Sequence, residues 1–275
     1  MKAQSKQYRI GDFAAYMGVT PDLLKHYEDQ GLLWAEHREN GYRYYPFQTS
    51  PKFLAAMQLK SYGIPIRGMQ ALISDASPEE LLEELRNRTA HMEKEAERLR
   101  MVIEEQRSLE AWMSRRRPGR DDWEVTDFES FYFLPHSQGL VFIENDDIYK
   151  ILPDWLGWMP LVKSTLAVTP TPGEDGSLPS SWGLSVRESI AKAAGIPVNE
   201  SVECIPSGKA FILHYAGPAR MQSESLREDH DHPVLAKMRA LGLAPKGRIF
   251  KIVRLNAHMN KPDRLEFADY IAPIE

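Results

Sequence analysis

The sequence predicts an α+β protein in three parts: an N-terminal winged helix-turn-helix, one long helix, and a C-terminal domain on a mainly antiparallel sheet. Three observations carry this. Two bounded helices separated by Gly18-Val19-Thr20 are followed closely by the turn dipeptide Asn40-Gly41. From Ser77 to Met113 no Gly or Pro interrupts a charged helical pattern. After Trp123 the chain becomes a series of short apolar runs divided by turns and three helical stretches.

In the first helix, Ile10, Phe13, Ala14 and Met17 recur at helical spacing and Gly18 ends it. The second is bounded by Thr20 as N-cap, Pro21 at the first helical position and Gly31 just past the end. Asn40-Gly41 predicts a two-residue type I′ hairpin, an exposed wing directly after the helix pair. Ser50-Pro51 repeats the cap-then-proline start, Gly63 closes that helix, and Pro65 opens the next. Phe13, Leu24, Leu54 and Leu59 are the expected core of this part.

The long helix starts at a capping box, Ser77 with Glu80. Leu85, Met92, Leu99, Gln106 and Met113 fall seven apart, with Leu81, Val102 and Leu109 in the companion row. A narrow apolar stripe on a charged helix needs a partner helix, most simply from a second copy of the chain. Ser114–Asp122 reads as a charged linker broken by Pro118. Beyond it, helices are expected near 148–162, 186–194 and 222–241, between strands rich in Phe, Tyr and Trp.

Composition narrows the function classes. No apolar run is long enough to span a membrane, and the first residues hold no apolar leader segment. Cys204 is the only cysteine, so an internal disulfide or a Cys-rich metal site is excluded and a cytoplasmic location is expected. No cofactor is implied. The net charge of −5 hides an asymmetry. Residues 1–75 carry nine Lys/Arg against seven Asp/Glu, whereas residues 124–275 carry fifteen against twenty. The positive excess sits in the part where a nucleic-acid contact would need it.

The run YRIGDFAAYMGVTPDLLKHYEDQGLL, with NGYRYY after it, resembles the N-terminal domain of MerR-family transcriptional regulators over about residues 8–74. Where that family has Arg-Tyr, this chain has Lys25-His26, and Ala35 and His37 replace a customary proline and arginine. Lysine keeps the charge but not the planar fork of arginine. The resemblance implies an antiparallel coiled-coil homodimer through residues 77–113. It also implies double-stranded promoter DNA with an over-long spacer as partner, and RNA polymerase as an indirect one. The implied domains are 1–75 for DNA binding, 76–117 for dimerisation and linker, and 118–275 for effector binding. The C-terminal part is similar to the GyrI-like domain of the multidrug-responsive branch, on the residues IPSGKAFILHYAGPA and FADYIAPI. In that branch a glutamate four residues before a proline lies at the base of an aromatic drug pocket; here that position is Asp269, before Pro273.

The candidate DNA contacts are Thr20, Lys25, His26 and Tyr27 on the second helix, Tyr42 and Arg43 on the wing, and Lys60 at the end of the third helix. Arg43 alternates with Tyr42 and Tyr44 along the strand, so the arginine faces away from the tyrosines. The candidate effector residues are Asp269, Glu266, Glu144, Trp155, Trp158 and Tyr270. A carboxylate among aromatic rings suits a cationic aromatic ligand. The plainer expectation for the Trp155–Trp158 pair is core packing. The favoured function is a ligand-responsive transcription regulator, not an enzyme. The alternatives are a small-molecule hydrolase or scavenger using Glu144 and Asp269 as paired acids, and an architectural repressor without an effector.

Overall fold

The computed structural model describes residues 6–116, 122–174, 176–218, 232–258, 260 and 264–275. The breaker Pro118 and the first part of the helix expected at 222–241 fall outside them. The chain divides into two compact units, Met1–Glu97 and Arg98–Glu275.

The first unit contains β1 (Gln7–Arg9), α1 (Ile10–Met17), α2 (Pro21–Asp29), β2 (Glu36–His37), β3 (Arg43–Pro46), α3 (Thr49–Ser61) and α4 (Met69–Ser74). It also takes the start of α5 (Pro78–Arg115). The three strands form a small antiparallel sheet in the order β1-β3-β2. Thr20 caps α2 by accepting the Leu23 N–H, and Gly18, in the left-handed region at φ 69°, turns the chain between α1 and α2. The core gathers Phe13, Leu24, Tyr27, Tyr45, Phe53, Ala56 and Met69.

Four local details differ from expectation. The wing turn is a three-residue loop, because only Gly41 of the Asn-Gly pair has a positive φ. Gly41 N–H donates to Arg38 O at 2.8 Å, and Arg38 then pairs with Tyr42 across Glu39-Asn40-Gly41. This is the type I turn with a glycine bulge, an alternative that the same dipeptide permits. Secondly, α3 begins at Thr49 rather than after Ser50, since the Ser50 N–H already donates to Phe47 O in helical fashion. Thirdly, Pro65 lies in irregular chain before the turn, and α4 starts at Met69 after Gly68 at φ 91°. Finally, Leu54 points outward and Phe53 fills the core in its place. The capping box at Ser77 is reciprocal: its N–H donates to Glu80 Oε2, and the Glu80 N–H donates to Ser77 Oγ.

The second unit holds the rest of α5 and then β4 (Asp122–Phe128), β5 (Phe131–Pro135), β6 (Ser137–Gln138), β7 (Val141–Phe142) and α6 (Asp146–Gly157). These are followed by β8 (Lys163–Val168), β9 (Ser180–Arg187), α7 (Glu188–Ala194), β10 (Glu203–Ile205), β11 (Gly208–Pro218), α8 (Pro233–Ala240), β12 (Ile249–Ala257) and β13 (Leu265–Pro273). Eight strands form one antiparallel sheet in the order β10-β5-β9-β8-β12-β13-β11-β4, and β6-β7 is a separate hairpin. The apolar run GLVFIEN contributes only Val141–Phe142 to that hairpin.

Alternation along the strands gives the sheet two different faces. On one, α6 and α7 cover Leu134, Leu184 and Val186, while α8 covers Phe211, Leu213, Tyr215 and Tyr270. The other carries Phe131, Phe133, Ala167 and Phe250, together with Thr165, Ser185, His214 and Asp269. Gly183 is required on this second face: a Cβ there would lie 2.6 Å from the Phe133 ring. The second half of α5 packs here through Glu105 and Trp112.

Candidate nucleic-acid interface and effector site

In the first unit, α2 presents Lys25 and His26 outward, while Tyr27 is fully buried. The Tyr27 ring packs on Phe53 and its hydroxyl meets Met57 Sδ at 3.4 Å, so Tyr27 fills the core instead of facing outward. Lys25 forms an exposed pair with Asp22 at 2.9 Å. Lys60 is exposed beside the edge of this core, its Nζ 5.9 Å from the Tyr27 ring centroid.

The wing is fastened to α2 through one carboxylate. Glu28 accepts from the Tyr45 hydroxyl at 2.9 Å, lies 2.8 Å from His37 Nε2, and pairs with Arg43 Nε at 3.1 Å. Burial acts to raise the Glu28 pKa, but the bonds from His37 and Tyr45 and the charge of Arg43 outweigh it and hold the carboxyl below its ordinary value. The same surroundings, burial first and Glu28 second, push the Tyr45 phenol upward. Arg43 is thus an anchor of the wing as well as a half-exposed cation. Tyr44 is covered by wing side chains rather than the core, with the Arg38 guanidinium 4.0 Å from its ring centroid and Asn40 Nδ2 donating to its hydroxyl. Tyr42 projects to solvent, with Arg9 stacked 5.0 Å from the ring centroid. The exposed groups around the hairpin therefore include Arg9, Arg38 and Tyr42 beside Arg43, and sequence reading named only the last two.

In the second unit a charge network lies between α5 and the sheet. Asp269 accepts from Trp112 Nε1 at 2.7 Å, lies 2.6 Å from His214 Nδ1, and binds Arg254 Nε. Arg254 in turn faces Glu105, which binds Lys163 Nζ at 2.5 Å. Burial works against an ionised Asp269, yet the His214 hydrogen bond and the Arg254 charge win and keep its pKa lowered. For Lys163, burial wins over Glu105 and lowers the ammonium pKa. A cavity of about 200 Å³ opens beside this network, lined by Glu105, Lys163, Arg187, Arg254, Asp269 and Phe131 among others.

The other effector candidates do not converge on this cavity. Glu266 is fully buried on the opposite face of β13, paired with Lys251 at 2.7 Å. Glu144 is exposed beyond the β6-β7 hairpin. With Glu144 absent from the walls of the cavity beside Asp269, the two do not form an acid–base pair. Trp155 is fully buried and donates to Pro197 O at 2.9 Å, and Trp158 is half-buried under Arg98. Tyr270 is buried beside Tyr215 and His232. Glu105, Trp112, His214 and Arg254 were missed in the sequence. On α5, Arg98, Glu105 and Trp112 lie seven apart and bind Gly157, Lys163 and Asp269 respectively, a spacing that carries no signal in the sequence without those partners. Among the described residues no group of three or more His, Cys, Asp or Glu is arranged to hold a metal ion, and no helix is long and apolar enough to cross a membrane.

A capped helix pair followed by a β-hairpin with a cationic rim defines the first unit as a winged helix-turn-helix, a DNA-binding class of domain. Residues 8–76 match the family described as MerR HTH family regulatory protein, so this unit is a MerR-family helix-turn-helix domain. The chain is also 29% identical over 98 residues to the multidrug-efflux transporter 2 regulator of Bacillus subtilis, a match covering 35% of this chain. It spans only 36% of that relative's length. Among solved structures, the EcmrR–DNA complex in EcmrR-RPo aligns with 98% of this chain and 99% of its own at 16% identity and a TM-score of 0.39. A MerR-family regulator from Bacillus cereus aligns with 41% of this chain and 87% of its own at 22% identity and a TM-score of 0.37. The matched family is one of regulators, not enzymes.

Proposed function

We propose that this protein is a ligand-responsive transcription regulator that binds double-stranded promoter DNA as a homodimer. The observation that carries the reading is the MerR-family match over residues 8–76, folded as a capped α2 with Lys25 and His26 outward beside a cationic wing. Residues 1–75 bind DNA, with Thr20, Lys25, His26, Tyr42, Arg43 and Lys60 as contacts and Tyr27 as support. Residues 76–117 dimerise. Residues 118–275 form a GyrI-like effector domain for a lipophilic or aromatic molecule, a reading supported by the name of the Bacillus subtilis relative. Distortion of a promoter with an over-long spacer makes RNA polymerase an indirect partner, in the cytoplasm. The effector acts only if it binds the two forms of the dimer unequally, since equal affinity shifts nothing.

The test combines footprinting on the protein's own upstream region with transcription from that fragment, with and without aromatic compounds that raise the melting temperature. A footprint with ligand-dependent transcription supports the reading. Absence of salt-dependent DNA binding overturns it.

A further inference from the structure

The cavity beside Asp269 measures about 200 Å³ and lies between α5 and the second face of the sheet. Phe128, Phe131, Leu161, Ile252 and Ile271 give it an apolar surface. On β12, Ile252 stands opposite Asp269 of β13 on one side and Thr165 of β8 on the other, so it sits at the centre of the floor. An apolar cavity of about 150 Å³ is enough for benzene, so the space here fits one aromatic ring with a short substituent.

Among the described residues the wall carries three acids, Glu105, Glu129 and Asp269, and three bases, Lys163, Arg187 and Arg254. Each acid is already matched within the chain. Asp269 is held by Arg254 and His214. Glu105 binds Lys163 at 2.5 Å, with Arg187 and Arg254 both 4.0 Å away. Glu129 faces Arg187 at 3.8 Å, and both are exposed at the rim. The Glu105 and Asp269 side chains are only 8% and 9% exposed, so solvent screens their pairs little. Burial acts to raise the Asp269 pKa, and His214 and Arg254 more than offset it, so the charge of this acid is taken up by its partners.

We propose that this cavity takes a small neutral aromatic molecule, and that Lys163 and Arg254 exclude cations by occupying its two buried carboxylates. The inference rests on reading the second unit as an effector domain. A neutral ring needs only the apolar surface. A charged ligand of the same shape sheds its hydration on entry, and no uncommitted opposite charge compensates it. A cation could reach Glu105 or Asp269 only by breaking an internal pair, which would strand Lys163 or Arg254 in a poorly solvated place. An acid at position 269 taken alone points to a cationic ligand; Arg254 and His214 remove that attraction.

The test is calorimetric titration of the full chain at neutral pH with benzyl alcohol, benzylammonium and benzoate, three probes of similar size and different charge. The alcohol is expected to bind at least about tenfold more tightly than either ion. I252W, which fills the cavity from β12, is expected to abolish that binding. K163M uncovers Glu105 and shifts the preference toward benzylammonium. Because a buried acid stripped of its partner can unfold the unit, K163M/E105Q is measured alongside; with both charges gone it keeps the wild-type order. Tighter binding of either ion by the wild type, undiminished binding by I252W, an unchanged order in folded K163M, a preference for an ion in the double variant, or no binding of any probe at millimolar concentration each overturns the inference. Promoter binding measured on the same samples separates the two readings. If it persists, only the ligand class has failed; if it is absent, the regulator reading has failed.

Discussion

At the residue scale, two carboxylates do work that their neighbours in sequence do not reveal. Glu28 receives His37, Arg43 and Tyr45 at once, so it ties the wing to α2. E28Q keeps the shape but loses the charge. It is expected to destabilise the first unit by about 1–3 kcal/mol at neutral pH, the worth of hydrogen bonds to a charged group, as read from the urea midpoint. The sign of its pH dependence follows from the lowered folded pKa. The stabilisation is fully present above the unfolded carboxylate value of about 4.3 and is lost as pH falls through the lower folded value. The difference between wild type and E28Q should therefore shrink below about pH 4; a difference that grew there would refute the assignment. Asp269 has the same sign, its pKa also being held down. D269N strands Arg254 beside Glu105 and removes the acceptor of Trp112, so a loss of about 3–5 kcal/mol is expected for the second unit in urea unfolding. A loss under 1 kcal/mol, roughly the worth of a surface pair, would show that the network is solvated.

At the scale of elements, α5 carries two stripes with different destinations. Arg98, Glu105 and Trp112 bind within the second unit, whereas Met92, Leu99 and Ile103 remain exposed, Leu99 at 58%. The variant L99D/I103D should abolish dimerisation in sedimentation velocity while leaving the fold of both units intact, because neither side chain is buried in the protomer. W112A should do the reverse, costing the second unit about 3–5 kcal/mol without breaking the dimer. The first stripe was legible in the sequence because leucine and methionine at heptad spacing form a pattern. The second was not, because an arginine, a glutamate and a tryptophan seven apart share no property until their partners on α6, β8 and β13 are known. The same contrast holds elsewhere. Thr20, Pro21 and the Ser77–Glu80 box could be read because capping is local chemistry. The hairpin turn at Asn40-Gly41 was misread because two turn types accept the same dipeptide, and the pairing of Arg38 with Tyr42 decides between them. Both acids of β13 were identified as candidates, but their cations come from β11 and β12, which no local pattern connects.

At the scale of the whole molecule, affinity for DNA depends on how many phosphates one particle neutralises. A single first unit offers few cations at its surface: Arg9, Lys25, Arg38, Arg43 and Lys60 lie on or near α2 and the wing, and Lys25 and Arg43 are partly committed to Asp22 and Glu28. The chain as a whole is net −5, so long-range attraction to DNA is weak and the contacts have to be local. In the proposed homodimer, two copies joined through α5 would double the count within one binding event, with the second contact made at high effective concentration. The salt dependence then measures the particle directly, because log K falls with log salt at about 0.9 per phosphate contacted. For a promoter fragment titrated by fluorescence anisotropy over a series of KCl concentrations, the wild-type slope should be about twice that of L99D/I103D, in proportion to phosphates held per particle. The intercept should also fall, since the monomer loses the second contact. R43A, measured in the same way, should lower the wild-type slope by roughly two, one phosphate for each subunit, and weaken all sequences alike. If the monomeric variant kept the wild-type slope, the dimer would not be the unit that grips DNA. The exposed row of α5 would then have to serve another partner.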